Sequence, residues 1–459
     1  MAHVAVFDVG KTNAKLSAVR ADGQLVETLG TPNPTRPGPP YSHHDLDFLE
    51  SWLCRSLAEL HARHPIEAIA LSGHGSGGVL IGADGPAMPM VDYETATPPE
   101  VDADYRRAAG AFVERGSSIM LGAAHLARQL LWLETGWPEK VAAARYFLPL
   151  PQYWAWRLSG VAATEVTSLA AQSHLWNVTE RRFAKIVEER GWSRLMPPLT
   201  PAWTTLGPIT ADMAARTGLP PQTRVLCGIH DSSANLYRYQ AAGLADMTVV
   251  STGTWLVAIN DRPDVAAVAE QSGLSWNSDV EGRPLAGVLT MAGRDYGALT
   301  GNAPPVTLSA GDIGAIIENG TMALPSFGAD DGFFPGSAGK GKIVGPAPTT
   351  PAARQALAVL YMALLTDTAL NQLPPAAKII LDGSFAREPL FPALVAALRQ
   401  EPVFVSADRY GTATGAALLA SHVGREAPVP ITLARAEPAT IDGLGPYHQT
   451  WRERAGTRS

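Results

Sequence analysis

The chain has 459 residues, of which 46% are hydrophobic and 17% are charged. This balance is typical of globular proteins and excludes wholesale disorder, and the length predicts two large domains instead of one core. The 36 basic and 43 acidic residues give a formal net charge of −7, without a Lys/Arg run. We therefore expect no nucleic-acid partner.

Membrane segments and disulfides are not expected either. The chain lacks an uninterrupted apolar run of about 18 residues, and its start lacks the basic flank and apolar stretch of a signal peptide. Cys54 and Cys227 lie far apart, without CxxC spacing or a histidine at metal-site spacing. These features predict a reduced cytoplasmic protein without a membrane partner.

The first half opens with a predicted three-stranded meander over residues 4–8, 14–19 and 25–29. Apolar residues at helical spacing predict a helix over 46–63, and a strand over 66–71 follows. The pattern is an α/β alternation, in which ligands bind at the carboxyl ends of strands.

The second half begins near residues 240–245 and repeats the opening hairpin, with strands predicted over 247–250 and 255–259 around a turn at 251–254. The remainder is predicted to alternate in the order helix 351–373, strand 378–381, helix 389–399, strand 403–405 and helix 412–421. Glycine turns follow several of these strands, so the candidate chemistry is sought there.

Three motifs indicate other sites but fail in context. GKT at 10–12 lacks the first glycine of a P-loop, because Ala5 stands in its place. GHGSGG at 73–78 satisfies GxGxxG, yet apolar residues and another turn follow it instead of a helix. The HD pair at 230–231 is typical of metal phosphohydrolases, whose site needs further His and Asp ligands. HHD at 43–45 could supply them, but it lies in a Pro-rich loop and fits poorly.

Two acids follow buried strands and have two interpretations each. Asp8 could form a structural Asx turn, or could lie beside Mg²⁺ while the amides of residues 10–13 face phosphate oxygens. Asp231 could cap the helix that it begins, or could act at the carboxyl end of a strand.

Five short segments follow one another along the chain in an order that is rarely a coincidence: DVGKTN at 8–13, GIHDS at 228–232, STGTW at 251–255, DGSFAR at 382–387 and TGAA at 414–417. Together they resemble the FGGY carbohydrate kinases, members of the superfamily that contains actin, hexokinase and the heat-shock ATPases. In that family they correspond to the first phosphate loop, the catalytic segment, the second phosphate loop, the adenosine loop and the helix start beside it.

The sequence also departs from the family pattern. GKT replaces the more usual GTT or GAS of the first loop, and Glu165 stands where an aspartate before a serine is more usual.

The resemblance implies an α/β fold of two ribonuclease-H-like (actin-like ATPase) domains with a ligand cleft between them. Residues 1–240 would form the sugar-binding domain and residues 241–459 the nucleotide-binding domain. The implied activity is phosphorylation of a hydroxyl of a small sugar, a ketose such as L-fuculose, L-rhamnulose, ribulose or xylulose. ATP and Mg²⁺ would be the cofactors, and Asp231 would be the general base.

The implied site residues fall into three groups. Asp8 would contact the metal ion. The nucleotide and its phosphates would be bound by Gly10, Lys11, Thr12, Asn13, Ser251, Thr252, Gly253, Thr254, Gly383, Ser384, Phe385, Arg387 and Gly415. The sugar would be bound by His74, Gly75, Glu94, His230 and Asp231.

Two other functions on the same fold stay open at this point: a nucleotide-gated sugar sensor without kinase activity, and a chaperone-type ATPase. The sequence leaves the oligomeric state open, a homodimer included. Sugar-stimulated turnover of ATP would favour the kinase over both alternatives.

Overall fold

A computed structural model describes residues 3–262, 268, 270, 273–408 and 410–456. The chain forms two compact units. The first comprises Met1–Leu244, Trp276–Pro284 and Tyr410–Ile431, and the second comprises Ala245–Ser275, Leu285–Arg409 and Thr432–Ser459. Two short segments of the second half thus belong to the first unit, so the units are not continuous halves. The assignment of sugar binding to 1–240 and nucleotide binding to 241–459 stays a prediction.

The first half of the chain alternates strands and helices. Its strands are β1 (His3–Val9), β2 (Asn13–Arg20), β3 (Leu25–Pro32), β4 (Thr35–Arg36), β5 (His43–His44), β6 (Ile66–Gly73), β7 (Gly78–Ile81), β8 (Tyr146–Pro149), β9 (Trp176–Asn177), β10 (Arg182–Phe183), β11 (Thr205–Pro208), β12 (Arg224–Leu226) and β13 (Ile229–His230). Its helices are α1 (Leu46–Arg63), α2 (Pro99–Ala108), α3 (Phe112–Arg115), α4 (Leu126–Gly136), α5 (Pro138–Ala143), α6 (Leu150–Ser159), α7 (Val166–Ala170), α8 (Lys185–Glu189), α9 (Ala211–Thr217) and α10 (Asp231–Ala241).

The main sheet of the first unit has, in the described part, seven strands in the order β11-β12-β6-β1-β2-β3, with β13 also paired to β6. β1 runs antiparallel to β2 and parallel to β6. β12 and β13 both pair with β6, and each is parallel to it. The parallel strands are apolar and buried, as a sheet covered on both faces requires.

Alternate residues of β1 supply the cores on the two faces of this sheet. Phe7 belongs to the core that includes the buried face of α1. That helix begins where Asp45 accepts a hydrogen bond from the Phe48 amide (3.1 Å), an N-cap that satisfies a free backbone donor. Val6, by contrast, belongs to the core that includes Ala234 of α10 and Ala416 of the helix over Gly411–Leu418.

The second half continues the alternation. Its strands are β14 (Met247–Thr252), β15 (Leu256–Asn260), β16 (Leu274–Ser278), β17 (Pro284–Thr290), β18 (Met322–Leu324), β19 (Lys342–Val344), β20 (Lys378–Gly383), β21 (Val403–Ser406) and β22 (Leu433–Arg435). Its helices are α11 (Ala292–Thr300), α12 (Ala310–Glu318), α13 (Pro351–Leu370), α14 (Leu390–Leu398), α15 (Gly411–Leu418) and α16 (Leu444–Ala455).

A second sheet follows the order β16-β17-β15-β14-β20-β21-β22 among the described residues. β14 is antiparallel to β15 and parallel to β20, and β20 is parallel to β21. The long helix α13 is buried from Gln355 to its end, which explains why its sequence is apolar almost all round.

The predicted hairpin repeat is confirmed, because β14-β15-β20 has the same directions as β1-β2-β6. The helix predicted over 46–63 has those bounds, and the strand predicted over 66–71 extends to Gly73. The helix predicted over 412–421 ends at Leu418 and continues as a 3₁₀ turn. In the part of the chain that the structure describes, no helix combines the length and apolar character needed to cross a membrane.

Candidate active site

The carboxyl ends of β1, β6 and β13 bring distant candidate residues to one edge of the first sheet. Asp8 of β1 is paired in register with Ser72 of β6, and His230 of β13 pairs with the residue after Ser72. Asp231 follows directly and begins α10. Asp8, the loop 73–78 and Asp231 therefore share the edge at which α/β sheets bind ligands.

Asp231 has a carboxylate that a ligand hydroxyl could reach, since its side chain is 30% exposed. Its Oδ1 accepts hydrogen bonds from the amide (2.6 Å) and the hydroxyl (3.2 Å) of Ser232, and lies 3.1 Å from His230 Nε2. Burial raises the pKa of Asp231 to about 6, against the effect of the bonds to Ser232. A carboxylate with such a pKa is a better proton acceptor than an ordinary aspartate and is still ionised at neutral pH.

Asp8 contributes a second acid to the same edge. Its Oδ1 is buried and accepts no hydrogen bond from the described residues. Burial, and then the charge of Asp231, raise the pKa of Asp8 to about 6. An unpartnered carboxylate oxygen beside another acid fits a hard cation such as Mg²⁺, for which carboxylate oxygen is a preferred ligand. No group of three or more potential ligand side chains is assembled among the described residues, so such an ion would need phosphate oxygens and water as well.

The backbone of His230 is held through Thr167 by Glu165, which the sequence analysis noted only as a departure from the family pattern. The His230 amide donates to Thr167 Oγ1 (3.1 Å), and the Thr167 hydroxyl donates to Glu165 Oε2 (2.6 Å). Glu165 is fully buried and caps α7 by accepting from the amides of Thr167 (2.9 Å) and Ser168 (3.0 Å). Burial raises the pKa of Glu165 to about 7, although these bonds oppose the shift. Glu165 thus supports the chain beside Asp231.

The first phosphate turn is tight and anchored from behind. The backbone N–H of Gly10 donates to the Asn13 carbonyl (3.0 Å). Asn33 donates twice to this turn, from its side-chain Nδ2 to the Gly10 carbonyl (2.8 Å) and from its backbone N–H to the Thr12 carbonyl (2.8 Å). Thr12 and Asn13 are exposed, as residues that meet a ligand must be.

Lys11 has a partner that the sequence did not indicate. Its ammonium forms an ion pair with Asp92 and lies 5.3 Å from the centre of the Tyr93 ring. Both members of the ion pair are nearly buried, with side chains 13% and 11% exposed. The charge of Lys11 is therefore already offset, and its contact with phosphate stays a prediction.

The loop 73–78 places His74 among aromatic rings. The His74 ring lies 5.5 Å from that of Tyr93, centre to centre. Both of its ring nitrogens are buried without a hydrogen-bond partner in the described structure. Gly75 is explained by packing, because a Cβ at this position would lie 2.6 Å from that of Ala171. Glu94 is half-buried, and its amide donates to Asp92 Oδ1 (3.2 Å).

In the second unit, the turn after β14 and the loop after β20 come together around Thr252. The Thr252 hydroxyl donates to the Asp382 carbonyl (2.7 Å) and accepts from the Phe385 amide (3.1 Å). The Thr252 carbonyl accepts from the Ser384 amide (2.8 Å). Two segments that the sequence proposed separately, at 251–254 and 383–387, thus form one backbone-lined region.

The exposed parts of this region differ in character. Thr254, Ser384 and Arg387 are exposed. Phe385 is half-buried, and its ring lies 4.8 Å from that of Tyr296 on α11. Sequence reasoning missed Tyr296, because nothing in the pattern of α11 connects it to a loop that lies some ninety positions further along the chain.

Three candidate glycines lie in different local surroundings. Nothing lies within 4 Å of where a Gly253 Cβ would be, so the space there is open. Gly383 has φ +90°, and a Cβ there would lie 2.0 Å from the Thr252 carbonyl oxygen. A Gly415 Cβ would lie 1.8 Å from the Ala234 carbonyl oxygen on α10. Gly383 and Gly415 are therefore required by packing, and their contact with a nucleotide stays a prediction.

Comparisons with known proteins agree with this arrangement. The chain matches the model of the FGGY family of carbohydrate kinases, N-terminal domain, over residues 3–237, and that of carbohydrate kinase FGGY, C-terminal domain, over residues 244–428. The L-fuculokinase of Escherichia coli (strain K12) is 26% identical over 289 residues, which are 60% of this chain and 60% of that protein's own length.

Solved structures resemble the chain over nearly its full length. A carbohydrate kinase from Novosphingobium aromaticivorans is 31% identical, with a TM-score of 0.84 and 99% of each chain covered. A xylulose kinase from Lactobacillus acidophilus has the same fold, with a TM-score of 0.80 at 16% identity over 100% of this chain and 99% of that one. The two α/β units have the actin-like ATPase fold of these proteins, and the chain belongs to the FGGY family of carbohydrate kinases.

Proposed function

We propose that the protein is a kinase that transfers the γ-phosphoryl group of ATP to a hydroxyl of a small sugar. The observation that carries this proposal is the placement of Asp231. It begins a helix at the carboxyl edge of the sheet, has a partly exposed carboxylate, and has a pKa raised to about 6 by burial. A group of this kind can accept the proton of a sugar hydroxyl.

Asp231 would have two tasks in the reaction. It orients the sugar hydroxyl toward the γ-phosphorus and takes its proton as the new bond forms. The bond between the sugar oxygen and the γ-phosphorus forms, the bond from that phosphorus to the β,γ-bridging oxygen breaks, and ADP leaves. Positioning and charge stabilisation supply most of the catalysis in such transfers. His230 Nε2, 3.1 Å from Asp231 Oδ1, would hold the carboxylate in place.

The phosphates and the metal ion would meet the turns that the sequence indicated. The turn at residues 10–13 offers backbone N–H groups other than that of Gly10, which donates to the Asn13 carbonyl, and the exposed side chains of Thr12 and Asn13. Asp8, with its unpartnered Oδ1, would hold Mg²⁺. When bound with ATP, the ion would neutralise part of the phosphate charge. In the second unit, the open space at Gly253 and the exposed Ser384 and Arg387 suit the nucleotide.

The sugar would bind to the first unit, at His74, Gly75, Glu94, His230 and Asp231. The unpartnered nitrogens of His74 support this placement, since a neutral imidazole offers one donor and one acceptor to hydroxyl groups. We propose a ketose, such as L-fuculose, L-rhamnulose, ribulose or xylulose. Relatives described as L-fuculokinase and xylulose kinase favour the same class. A cytoplasmic location is consistent with the use of ATP and with two buried free cysteines, Cys54 and Cys227.

A panel of ketoses and polyols, with ATP and Mg²⁺ and with ADP release as the readout, tests the proposal. We expect one or a few ketoses to stimulate ADP release and to yield a sugar phosphate. ATP turnover that is independent of sugar would instead favour a chaperone-type ATPase. Sugar binding without turnover would favour a sensor.

A further inference from the structure

A buried row of polar groups runs from the first phosphate turn to the candidate sugar loop, all within the first unit. The Gly10 carbonyl accepts from Asn33 Nδ2 (2.8 Å), and Asn33 Oδ1 lies 3.2 Å from His44 Nδ1. The His44 ring lies 6.0 Å from the His74 ring, centre to centre. Asn33 is 5% exposed and His44 is 2% exposed. The row thus lies in the interior, where each polar group needs a partner.

The first two contacts determine which nitrogen of His44 carries hydrogen. Because Asn33 donates its amide to Gly10, its oxygen is the atom that faces His44 and can only accept. His44 Nδ1 is therefore the donor. Burial, and then the charge of Lys11, lower the pKa of His44 to about 4, so the ring is neutral near pH 7. A neutral imidazole with its hydrogen on Nδ1 has an acceptor at Nε2.

That acceptor and both nitrogens of His74 have no partner in the described structure, although all three atoms are buried. A buried polar atom without a partner destabilises the folded state, so three in neighbouring rings indicate hydrogen bonds that are completed by something else. The separation of 6.0 Å between the ring centres is compatible with a small ring rotation or with one water molecule between facing nitrogens.

We propose that His44 is a positioning residue for His74: His44 Nε2 accepts a hydrogen bond from one His74 N–H, directly or through one water, and leaves the other His74 nitrogen as an acceptor for a substrate hydroxyl. This inference rests on the proposed function and deepens it. HHD at 43–45, which the sequence discounted as a metal site, acquires a role through its second histidine.

The arrangement has a consequence for the class of substrate. An acceptor nitrogen on His74 selects a group that donates hydrogen, and a carboxylate offers only lone pairs. Lys11 does not reverse this preference, because its charge is offset by Asp92. Burial above all, and then the charge of Lys11, also lower the pKa of His74, which keeps its ring neutral. At this position the site therefore selects neutral sugars over sugar acids.

Kinetics of a matched set of variants test the inference. His44→Leu removes the acceptor and should raise the KM for the best sugar about tenfold, the loss of one hydrogen bond. The KM for ATP should change less, because Asn33 keeps its bonds to the Gly10 and Thr12 carbonyls when His44 is replaced. His44→Gln keeps an acceptor oxygen and should restore most of the affinity. His43→Ala is the control, since Nδ1 of the adjacent His43 contacts the Tyr41 carbonyl (2.8 Å). An unchanged sugar KM in folded His44→Leu overturns the inference.

A spectroscopic measurement on the full chain does not depend on activity. In ¹⁵N-histidine spectra, His44 should be the Nδ1–H tautomer, and His74 should be a single tautomer that becomes a mixture in His44→Leu and is retained in His44→Gln. An Nε2–H tautomer for His44, or a His74 spectrum unaffected by His44→Leu, overturns the inference whether or not the protein is a kinase. If these spectra agree but no sugar stimulates ADP release, the proposed function fails instead. A sugar acid preferred over every neutral sugar would contradict the substrate preference.

Discussion

The turns at residues 10–13 and 251–254 join hairpins of the same design, yet their surroundings differ. In the first unit, β1 contributes the acid, Asp8, and its parallel neighbour contributes Ser72 in register. In the second unit the order is reversed, because β14 contributes Ser251 and its parallel neighbour contributes Asp382. The scaffold is thus repeated while the position of the carboxylate is not.

This difference separates two kinds of chemistry. Asp8 Oδ1 accepts no hydrogen bond from the described residues, and the pKa of Asp8 is raised by burial and by Asp231, so the first edge is suited to a cation and to proton transfer. Asp382 Oδ1 accepts from the Gly383 amide (2.6 Å), and the surrounding bonds are made by the backbone and the Thr252 hydroxyl. The second edge is therefore suited to contacts with a nucleotide. A repeated fold determines where ligands can lie, and the side chains determine what is done to them.

Removing the proton acceptor of the first edge should have the largest effect on activity and tests the chemical difference between the two edges directly. We expect Asp231→Asn to lower kcat by a factor on the order of 10² or more, with ATP affinity nearly unchanged, because the general base is lost while the shape is kept. Steady-state kinetics and calorimetric ATP titration measure both quantities. Asp212→Asn, at an exposed position in the first turn of α9, is the control. Near-normal turnover in folded Asp231→Asn would refute the assignment.

The second edge can be tested by a matched pair of glycine substitutions. Gly383→Val places a branched side chain at φ +90° against the Thr252 carbonyl, and we expect a loss of stability of about 3 kcal/mol or more. Gly253→Val enters open space, so that variant should fold normally and bind ATP more weakly. Thermal unfolding and calorimetry distinguish the two effects. Unchanged ATP affinity in Gly253→Val would show that the nucleotide does not approach this turn.

The pH dependence of activity should reflect the acids of the first edge. Asp231 must be ionised to accept a proton, and its pKa is raised to about 6. We therefore expect kcat/KM to be constant near pH 7 to 8 and to fall about tenfold per pH unit below pH 6. An ordinary aspartate would maintain activity to a lower pH. Asp8 titrates in the same pH range as Asp231. Because Asp8 is the proposed Mg²⁺ ligand, pH profiles measured at two Mg²⁺ concentrations separate its contribution to the loss of activity from that of Asp231. A profile that is flat to pH 5 would contradict the proposed environment of Asp231.

His74→Ala should sharpen the division of ligands between the two units. Among the described residues, the two His74 ring nitrogens have no hydrogen-bond partner, so we expect the KM for sugar to rise at least several-fold and the KM for ATP to change little. His64→Ala is a suitable control, because the His64 ring contacts the carboxylate of Glu27 (2.8 Å) on β3, the edge strand of the first sheet. Unaltered sugar kinetics in His74→Ala would remove His74 from the sugar site.

The smallest effect is expected at the support of the catalytic segment. Glu165→Ala removes the cap of α7 and the partner of the Thr167 hydroxyl, and should lower stability by about 1–2 kcal/mol. It should also lower kcat a few-fold, since His230 loses its indirect support. Glu165→Asp retains a capping carboxylate and should recover most of both. Denaturant unfolding and kinetics of the two variants provide the check. Equal losses in both would indicate that the length of Glu165 is required.

The local elements and the order of the ligand turns could be predicted from the amino-acid sequence. The helix at 46–63, the hairpin on either side of residues 10–13, and the position of Asp231 after a strand all follow from spacing, capping and turn chemistry between near neighbours. Such short-range signals are complete within about a dozen residues. The resemblance to the FGGY family then connected these turns to a function, the phosphorylation of a sugar.

The contacts between distant residues became evident in the folded chain. It paired Lys11 with Asp92, placed His44 beside His74, and filled the space at Gly415 with the backbone of α10. It also placed residues 410–431 in the first unit, against the order of the chain. These relations depend on how strands cross over and how helices pack on a sheet. No local periodicity encodes them, because a residue's own neighbours in sequence do not specify which element will cover it.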